Sequence, residues 1–230
     1  EFAKAAERNN NQEDIDVATA SLGFYGLPND GNSAIDTAIN PGPQTDTAWF
    51  ISTGNEANGS HWRGEWRDTG GTDDALTFEG SGSTAVEINC FQSREQFTAI
   101  LQWNDWESPS ERYALGLYRY NKDQREAELL EISDNQQNAG APPVERISWV
   151  PQTGEMFCLA IVNNGADGTA TFDLFLRTDN PETKLDYTSA DGSVLVPATN
   201  RYGIGVGAIH WADETLEPYS SRGPTVDGRL

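Results

Sequence analysis

Two hydrophobic grammars run along the chain, one nested inside the other. In the first, apolar runs flank a helical stretch. "DVATASLGF" is a short apolar strand ending at Gly23, "GNSAIDTAIN" sets Ala34, Ile35, Ala38 and Ile39 at helical spacing, and "TAWFIST" is strand again. Asp30 is the N-cap candidate of this helix and Pro41 its stop. A strand, a helix and a strand within about 35 residues have the size of a βαβ crossover, which predicts parallel pairing of the strands. Ligands of such sheets gather at the carboxyl ends of the strands, where Gly23 and Asn55 both lie.

The second grammar has period two. "ALTFEG", "AVEINC", "FTAILQW", "YALGLYRY", "AELLEI", "ERISWV", "MFCLAIV", "TATFDLFLR" and "SVLVP" are separated by turn clusters such as "GTDD", "NKDQ" and "NNGADG". Short strands with polar turns predict an antiparallel β-sandwich, jelly-roll-like. "HWRGEW", residues 61–66, reads as the hinge where it begins. After it, "ATNRYGIGVGAIHWADETLEPYSSRGPTVDGRL" returns to the glycine-rich, strand-then-loop style of the start. The predicted fold class is α/β plus all-β: a parallel-sheet core in residues 1–66 and 197–230, interrupted by a sandwich in residues 67–196. The opening "EFAKAAER" reads as the tail of a helix, and both ends read as cuts in a longer protein.

These residues carry a resemblance. "ATASLGF", then a helix, then "FISTGNEANG" resembles the part of subtilisin-like serine proteases in which an "SLG" strand is followed by a helix and a strand ending in "AGN". "PATNRYGIGVGAIHWADETLEPYSSRGPTVDGR" resembles the next part, where a "PA" turn leads to a "VGA" strand and an "SSRGP" loop. The two matches cover residues 15–66 and 197–229 in the right order, and the middle resembles sandwich insertions of some large members. The resemblance implies a partial subtilisin-like core and acyl transfer through a Ser, a His and an Asp. In the family the Asp and His precede the "SLG" strand and the Ser follows "SSRGP" within a "GTS" motif, regions that this sequence does not contain. What the resemblance carries onto these positions is Asn55 as oxyanion donor, Ser21, Leu22 and Gly23 as the edge that pairs with a bound peptide, and Gly54 as a wall of the pocket before the scissile bond. Read without it, Asn55 is an Asn capping its own strand end, and "SLG" an ordinary strand end. His61 and His210 fall on no triad position, and Ser220 and Ser221 are expected to form a loop rather than supply the nucleophile.

Composition narrows the partners. Fifteen basic residues against 36 acidic ones give a net charge of −21 and a pI near 4.2, which disfavours phosphate backbones, so no nucleic-acid partner is expected. Lys4, Lys122 and Lys184 are the only lysines, a balance that suits a halophilic protein or simply an acidic secreted one. No apolar run is long enough to insert in a bilayer and no basic-plus-apolar leader opens the sequence. Cys90 and Cys158 each sit in an alternating apolar segment, and read as either a disulfide of an exported chain or two buried thiols. "DTGGTDD", residues 68–74, and "WNDWES", residues 103–108, offer oxygen ligands of the kind Ca²⁺ uses, without the EF-hand spacing; solvated acidic loops are the other reading. No metal ligand set is assigned and no cofactor is required. Trp103, Trp106, Tyr113, Tyr118, Tyr120 and Trp149 could face a sugar or fill the sandwich core.

The expected function is therefore a piece of a secreted, extracellular subtilisin-like endopeptidase, acting on protein or peptide substrates together with the remaining parts of the same protease, and inactive alone. The alternative is a carbohydrate- or protein-binding sandwich on a catalytically dead scaffold.

Overall fold

A computed structural model describes residues 1–10, 15–40, 47–68, 74–78, 86–107, 109–136 and 141–229. The chain divides into two compact units, Glu1–Asn58 with Ala190–Leu230, and Gly59–Ser189.

The first unit holds helix α1 (Phe2–Asn10), strand β1 (Val17–Ala20), helix α2 (Ala34–Ile39) and strand β2 (Ala48–Ser52). β1 and β2 pair in parallel, from Val17 opposite Ala48 to Ala20 opposite Ile51, as the crossover spacing predicts. A late strand, Ile204–Val206, joins β2 on its other side, also in parallel. Alternation along β1 and β2 turns Ala18, Ala20, Trp49 and Ile51 inward, where they pack with Ala6, Ala38 and Ile39 of the helices. The opposite face carries Val17, Phe50, Ile204 and Val206 at 38–57 % exposure.

The start of α2 corrects the capping expectation. Ser33, not Asp30, is the N-cap: its hydroxyl accepts from Asp36 N–H at 3.0 Å, while the Asp36 carboxylate accepts from Ser33 N–H at 3.1 Å. This reciprocal box satisfies two otherwise orphaned N–H groups. Asp30 instead accepts from Asn32 N–H at 2.9 Å. Burial pushes the Asp36 carboxyl above its ordinary range, although the Ser33 and Thr199 hydrogen bonds oppose that shift. Pro41 lies outside the described residues.

Among the described residues the second unit holds eight strands in two antiparallel sheets. In chain order they are β3 (His61–Glu65), β4 (Asn89–Ser93), β5 (Phe97–Trp103), β6 (Tyr113–Asn121), β7 (Glu126–Ser133), β8 (Val144–Trp149), β9 (Glu155–Asn163) and β10 (Thr171–Thr178). The sheet orders are β3-β10-β5-β8 and β4-β9-β6-β7, so that apart from the β6–β7 hairpin successive strands cross between sheets as in a jelly roll. Inward side chains from both sheets, among them Phe97, Leu101, Trp103, Tyr113, Leu115, Phe157, Phe172 and Leu174, form one buried core. Trp103 and Tyr113 are therefore core residues and Trp149 packs against that core, whereas Trp106, Tyr118 and Tyr120 are half-buried. Cys90 and Cys158, opposite one another on β4 and β9, form a disulfide.

The unit seams differ from the sequence boundaries at both ends. "HWRGE" is strand β3, paired with β10 from His61 opposite Phe175 to Glu65 opposite Thr171, and not a hinge. A Cβ at Gly64 would lie 2.4 Å from the Trp62 ring, so the missing side chain makes room for the indole. "SVLVP" does not join the sandwich. Val194 N–H donates to Arg222 O, Leu195 N–H to Thr53 O, and Val196 O accepts from Phe24 N–H, all within the α/β unit. Of "ALTFEG", the described residues 75–78 form isolated bridges at Ala75 and Phe78, and the last two lie outside the described residues.

The entry and exit of the sandwich are tied to each other. Leu185 N–H donates to Gly59 O at 2.9 Å and Ser189 N–H to His61 O at 2.8 Å, while Arg63 N–H donates to Ser189 Oγ at 3.1 Å. His61 is wholly buried, its ring tilted against Phe175 with centroids 4.7 Å apart, with Nδ1 2.8 Å from Ser189 O and Nε2 2.8 Å from Asp173 Oδ1. Arg63 grips the same carboxylate at both oxygens, at 2.8 and 2.9 Å. Burial alone would push Asp173 up, but the hydrogen bonds and charges of His61 and Arg63 outweigh it and hold the carboxyl below its ordinary value.

Because the ends are closed on each other, residues 59–189 expressed alone are expected to unfold in one cooperative transition; a broad, non-cooperative denaturant curve would contradict this. Asp173→Asn should cost about 3–5 kcal/mol at neutral pH, since it takes the carboxylate away from the half-buried Arg63 guanidinium and the buried His61 ring. A depressed folded-state pKa means that the stabilisation is fully present above the unfolded-state value and lost as pH falls through the folded-state one. Denaturant curves at descending pH should thus show wild type losing stability toward acid and the variant losing less.

Candidate functional site

The site begins where β2 ends. Past Ser52 the chain runs through Thr53, Gly54, Asn55, Glu56 and Ala57, and every one of these except Asn55 is tied down. Thr53 N–H donates to Val206 O at 3.1 Å, and Thr53 O accepts from Leu195 N–H at 3.1 Å. Gly54 O accepts from Ser221 N–H at 3.0 Å, and Glu56 N–H donates to Ser221 Oγ at 2.8 Å. Tyr25 Oη donates to Glu56 Oε1 at 2.7 Å, and Ala57 N–H to Tyr219 O at 3.3 Å. Asn55 is exposed, and among the described residues its amide has no hydrogen-bond partner. Capping of its own strand end, the reading of Asn55 without the resemblance, is not what this amide does.

Gly54 has φ +111°, a conformation strained for any residue with a Cβ. A Cβ there would also stand 2.9 Å from Ser221 Oγ and 3.3 Å from Leu195 Cδ1. Gly23 lies against the same side chain: its Cβ would meet Leu195 Cδ1 at 2.6 Å. The buried Leu195 thus floors both glycines and makes the ends of the two strands neighbours.

Ser21, Leu22 and Gly23 continue β1 past its paired part, and all three are exposed. β1 is an edge strand in the order β1-β2-β11, where β11 is Ile204–Val206. The backbone groups of residues 21–23 make no hydrogen bond among the described residues; pairing resumes at Phe24, whose N–H donates to Val196 O at 2.8 Å. An extended edge with free donors and acceptors can take an added strand. The structure therefore gathers Gly23, Gly54 and Asn55 at the carboxyl ends of neighbouring parallel strands, beside that open edge.

The other candidates are structural in their bonding. Ser220 Oγ accepts from Ala208 N–H at 3.0 Å and Ser221 Oγ from Glu56 N–H, so both hydroxyls hold loops. His210 is half-buried, with Nδ1 3.0 Å from Asp213 Oδ1. Hydrogen bonds from Thr215, and then His210, hold the Asp213 carboxyl below its ordinary range. His61 belongs to the sandwich core described above. Asp105 Oδ2 accepts from the N–H groups of Ser110 and Glu111, at 2.5 and 2.8 Å. Residues 69–73 of "DTGGTDD" lie outside the described residues, and among the described ones no group of three or more His, Cys, Asp or Glu could hold a metal. The bracket that Ser221 places around Asn55 is not visible in the sequence, because the two lie more than 160 residues apart; the only signal was the "SSRGP" loop itself.

No family model matches the chain, and no curated protein sequence does. Among solved structures, the CspB protease of Clostridium perfringens is similar over 99 % of this chain and 49 % of its own, with a TM-score of 0.64 at 16 % identity. At that identity the likeness is one of fold. It spans both units, so the pairing of an α/β unit with a β-sandwich in this chain has a counterpart in a protease, and this chain covers about half the length of that protein. The Yersinia pseudotuberculosis-derived mitogen overlaps 56 % of the chain and 94 % of its own at a TM-score of 0.29 and 15 % identity, too low to carry an argument.

The packing around Gly54 makes its replacement costly. Gly54→Ala should lower the stability of the chain by about 1–3 kcal/mol, from backbone strain and the clash with Ser221. A melting temperature within error of wild type would show that this loop relaxes freely.

Proposed function

We propose that the chain is the oxyanion-bearing part of a subtilisin-like serine endopeptidase whose nucleophile, base and orienting Asp lie on other parts of the same protease. The observation that carries the reading is the amide of Asn55, without a hydrogen-bond partner among the described residues and displayed at the end of the central strand β2, while Thr53, Gly54, Glu56 and Ala57 beside it are each hydrogen-bonded. When a nucleophile attacks a peptide carbonyl, negative charge grows on the carbonyl oxygen. A fixed N–H donor aimed at that point stabilises the transition state more than the ground state, and a donor already spent on a protein acceptor could not do so.

The neighbouring features suit the same reaction. The open edge of Ser21, Leu22 and Gly23 would pair with the backbone of an extended peptide, and the bare backbone of Gly54 would leave room for the side chain before the scissile bond. Among the described residues one face of the parallel sheet carries the exposed apolar side chains Val17, Phe50, Ile204 and Val206, whereas parallel sheets are almost always covered on both faces; the rest of a catalytic core would pack there. The Cys90–Cys158 disulfide suits an oxidising, extracellular setting. The acidic, lysine-poor composition suits a saline one.

The test uses the complete protease and a chromogenic peptide. Asn55→Ala should lower kcat by about 10²–10³ with little change in KM, a magnitude carried over from removal of the corresponding donor in subtilisin. Wild-type turnover in the variant would exclude the oxyanion role.

A further inference from the structure

An exposed amide is useful to an oxyanion only if the backbone beneath it stays still. The residues on either side of Asn55 are held by one and the same residue. Ser221 gives its N–H to Gly54 O at 3.0 Å and takes the N–H of Glu56 on its hydroxyl at 2.8 Å, so that Gly54, Asn55 and Glu56 are bracketed by a single side chain and its own backbone. Ser221 is itself immobilised. It is 4 % exposed and lies between Ser220, whose hydroxyl takes the Ala208 N–H at 3.0 Å, and Arg222, whose N–H goes to Ser193 Oγ at 3.1 Å and whose carbonyl takes the Val194 N–H at 3.1 Å. The closeness of the bracket also accounts for Gly54, because a Cβ at that position would stand 2.9 Å from Ser221 Oγ.

We infer that Ser221 is a positioning residue for Asn55: through its N–H and hydroxyl it fixes the peptide units before and after the amide, and so fixes where the amide can donate. Ser221 touches no reacting atom in this account. The inference rests on the oxyanion reading of Asn55 and adds the residue that makes the donor preorganised rather than merely present.

Two measurements test it. In the 230-residue chain, amide hydrogen exchange is compared between wild type and Ser221→Ala. The Glu56 amide, having lost its acceptor, should exchange about 10-fold or more faster, while the β2 amides of Trp49, Phe50 and Ile51 keep their protection. Unchanged protection at Glu56 would show that no clamp exists, and loss of protection throughout β2 would show that Ser221 supports the whole unit; either overturns the inference. In the complete protease, Ser221→Ala should lower kcat by about 10- to 100-fold at unchanged KM, Ser221→Thr, which keeps the hydroxyl, should restore it, and Ser221→Ala should cost nothing further in an Asn55→Ala background. An equal loss in that background would mean that Ser221 acts independently of Asn55 and would end the proposal. Undiminished kcat in Asn55→Ala alone would instead remove the oxyanion reading, so the two failures are distinct.

Discussion

Strand β2 is gripped from both flanks and from below. β1 and the late strand Ile204–Val206 pair with its edges, and Trp49 and Ile51 sink into the helical layer. A strand with two parallel neighbours and a buried face has little freedom to shift register, because a one-residue slip would turn Trp49 and Ile51 out into solvent. That constraint fixes the position of Thr53, and from Thr53 onward the loop bonds of Leu195, Ser221, Tyr25 and Tyr219 carry the rigidity to Ala57. The open edge of residues 21–23 depends on the same strand, since β1 is registered on β2, and Gly23 and Gly54 share Leu195 as their floor.

The sandwich is stabilised on its own terms. Its two sheets bury a single core, and its entry and exit are stitched by Ser189 and by the ionic group of His61, Asp173 and Arg63. Buried charges are costly unless each is paired, and here one carboxylate serves two basic side chains with contacts of 2.8–2.9 Å. An insertion closed in this way can interrupt a chain without lending it either strand ends or loops. The α/β unit correspondingly recovers its pattern at Ala190, where the segment through Val196 bonds back to Phe24, Thr53 and Arg222.

Much of this was legible because periodicity reports which face is buried. "FTAILQW", "YALGLYRY" and "MFCLAIV" became central strands, and the crossover spacing anticipated the parallel pair. The misreadings have local causes. "HWRGEW" shows no clean alternation, since His61 and Trp62 are both buried, and the space beside Gly64 is taken by the Trp62 ring. Asp30 and Ser33 are both good caps, and the acidic residue three positions after Ser33 decides between them. "SVLVP" is as apolar as a sandwich strand, and only its distant partners assign it to the other unit. The exposure of Asn55 and the grip of Ser221 are long-range facts with no periodic trace; the resemblance could mark Asn55 for a role, but only three-dimensional packing reveals that its amide is free.

The central claim is that the Asn55 amide is preorganised for a developing oxyanion. The most direct measurement is a crystal structure of the complete protease with a peptide aldehyde or boronic acid bound covalently to its nucleophile. The account predicts Asn55 Nδ2 about 2.7–3.1 Å from the tetrahedral oxygen, with the peptide paired against residues 21–23. An oxygen bound by other donors, with the Asn55 amide turned to solvent, would contradict it.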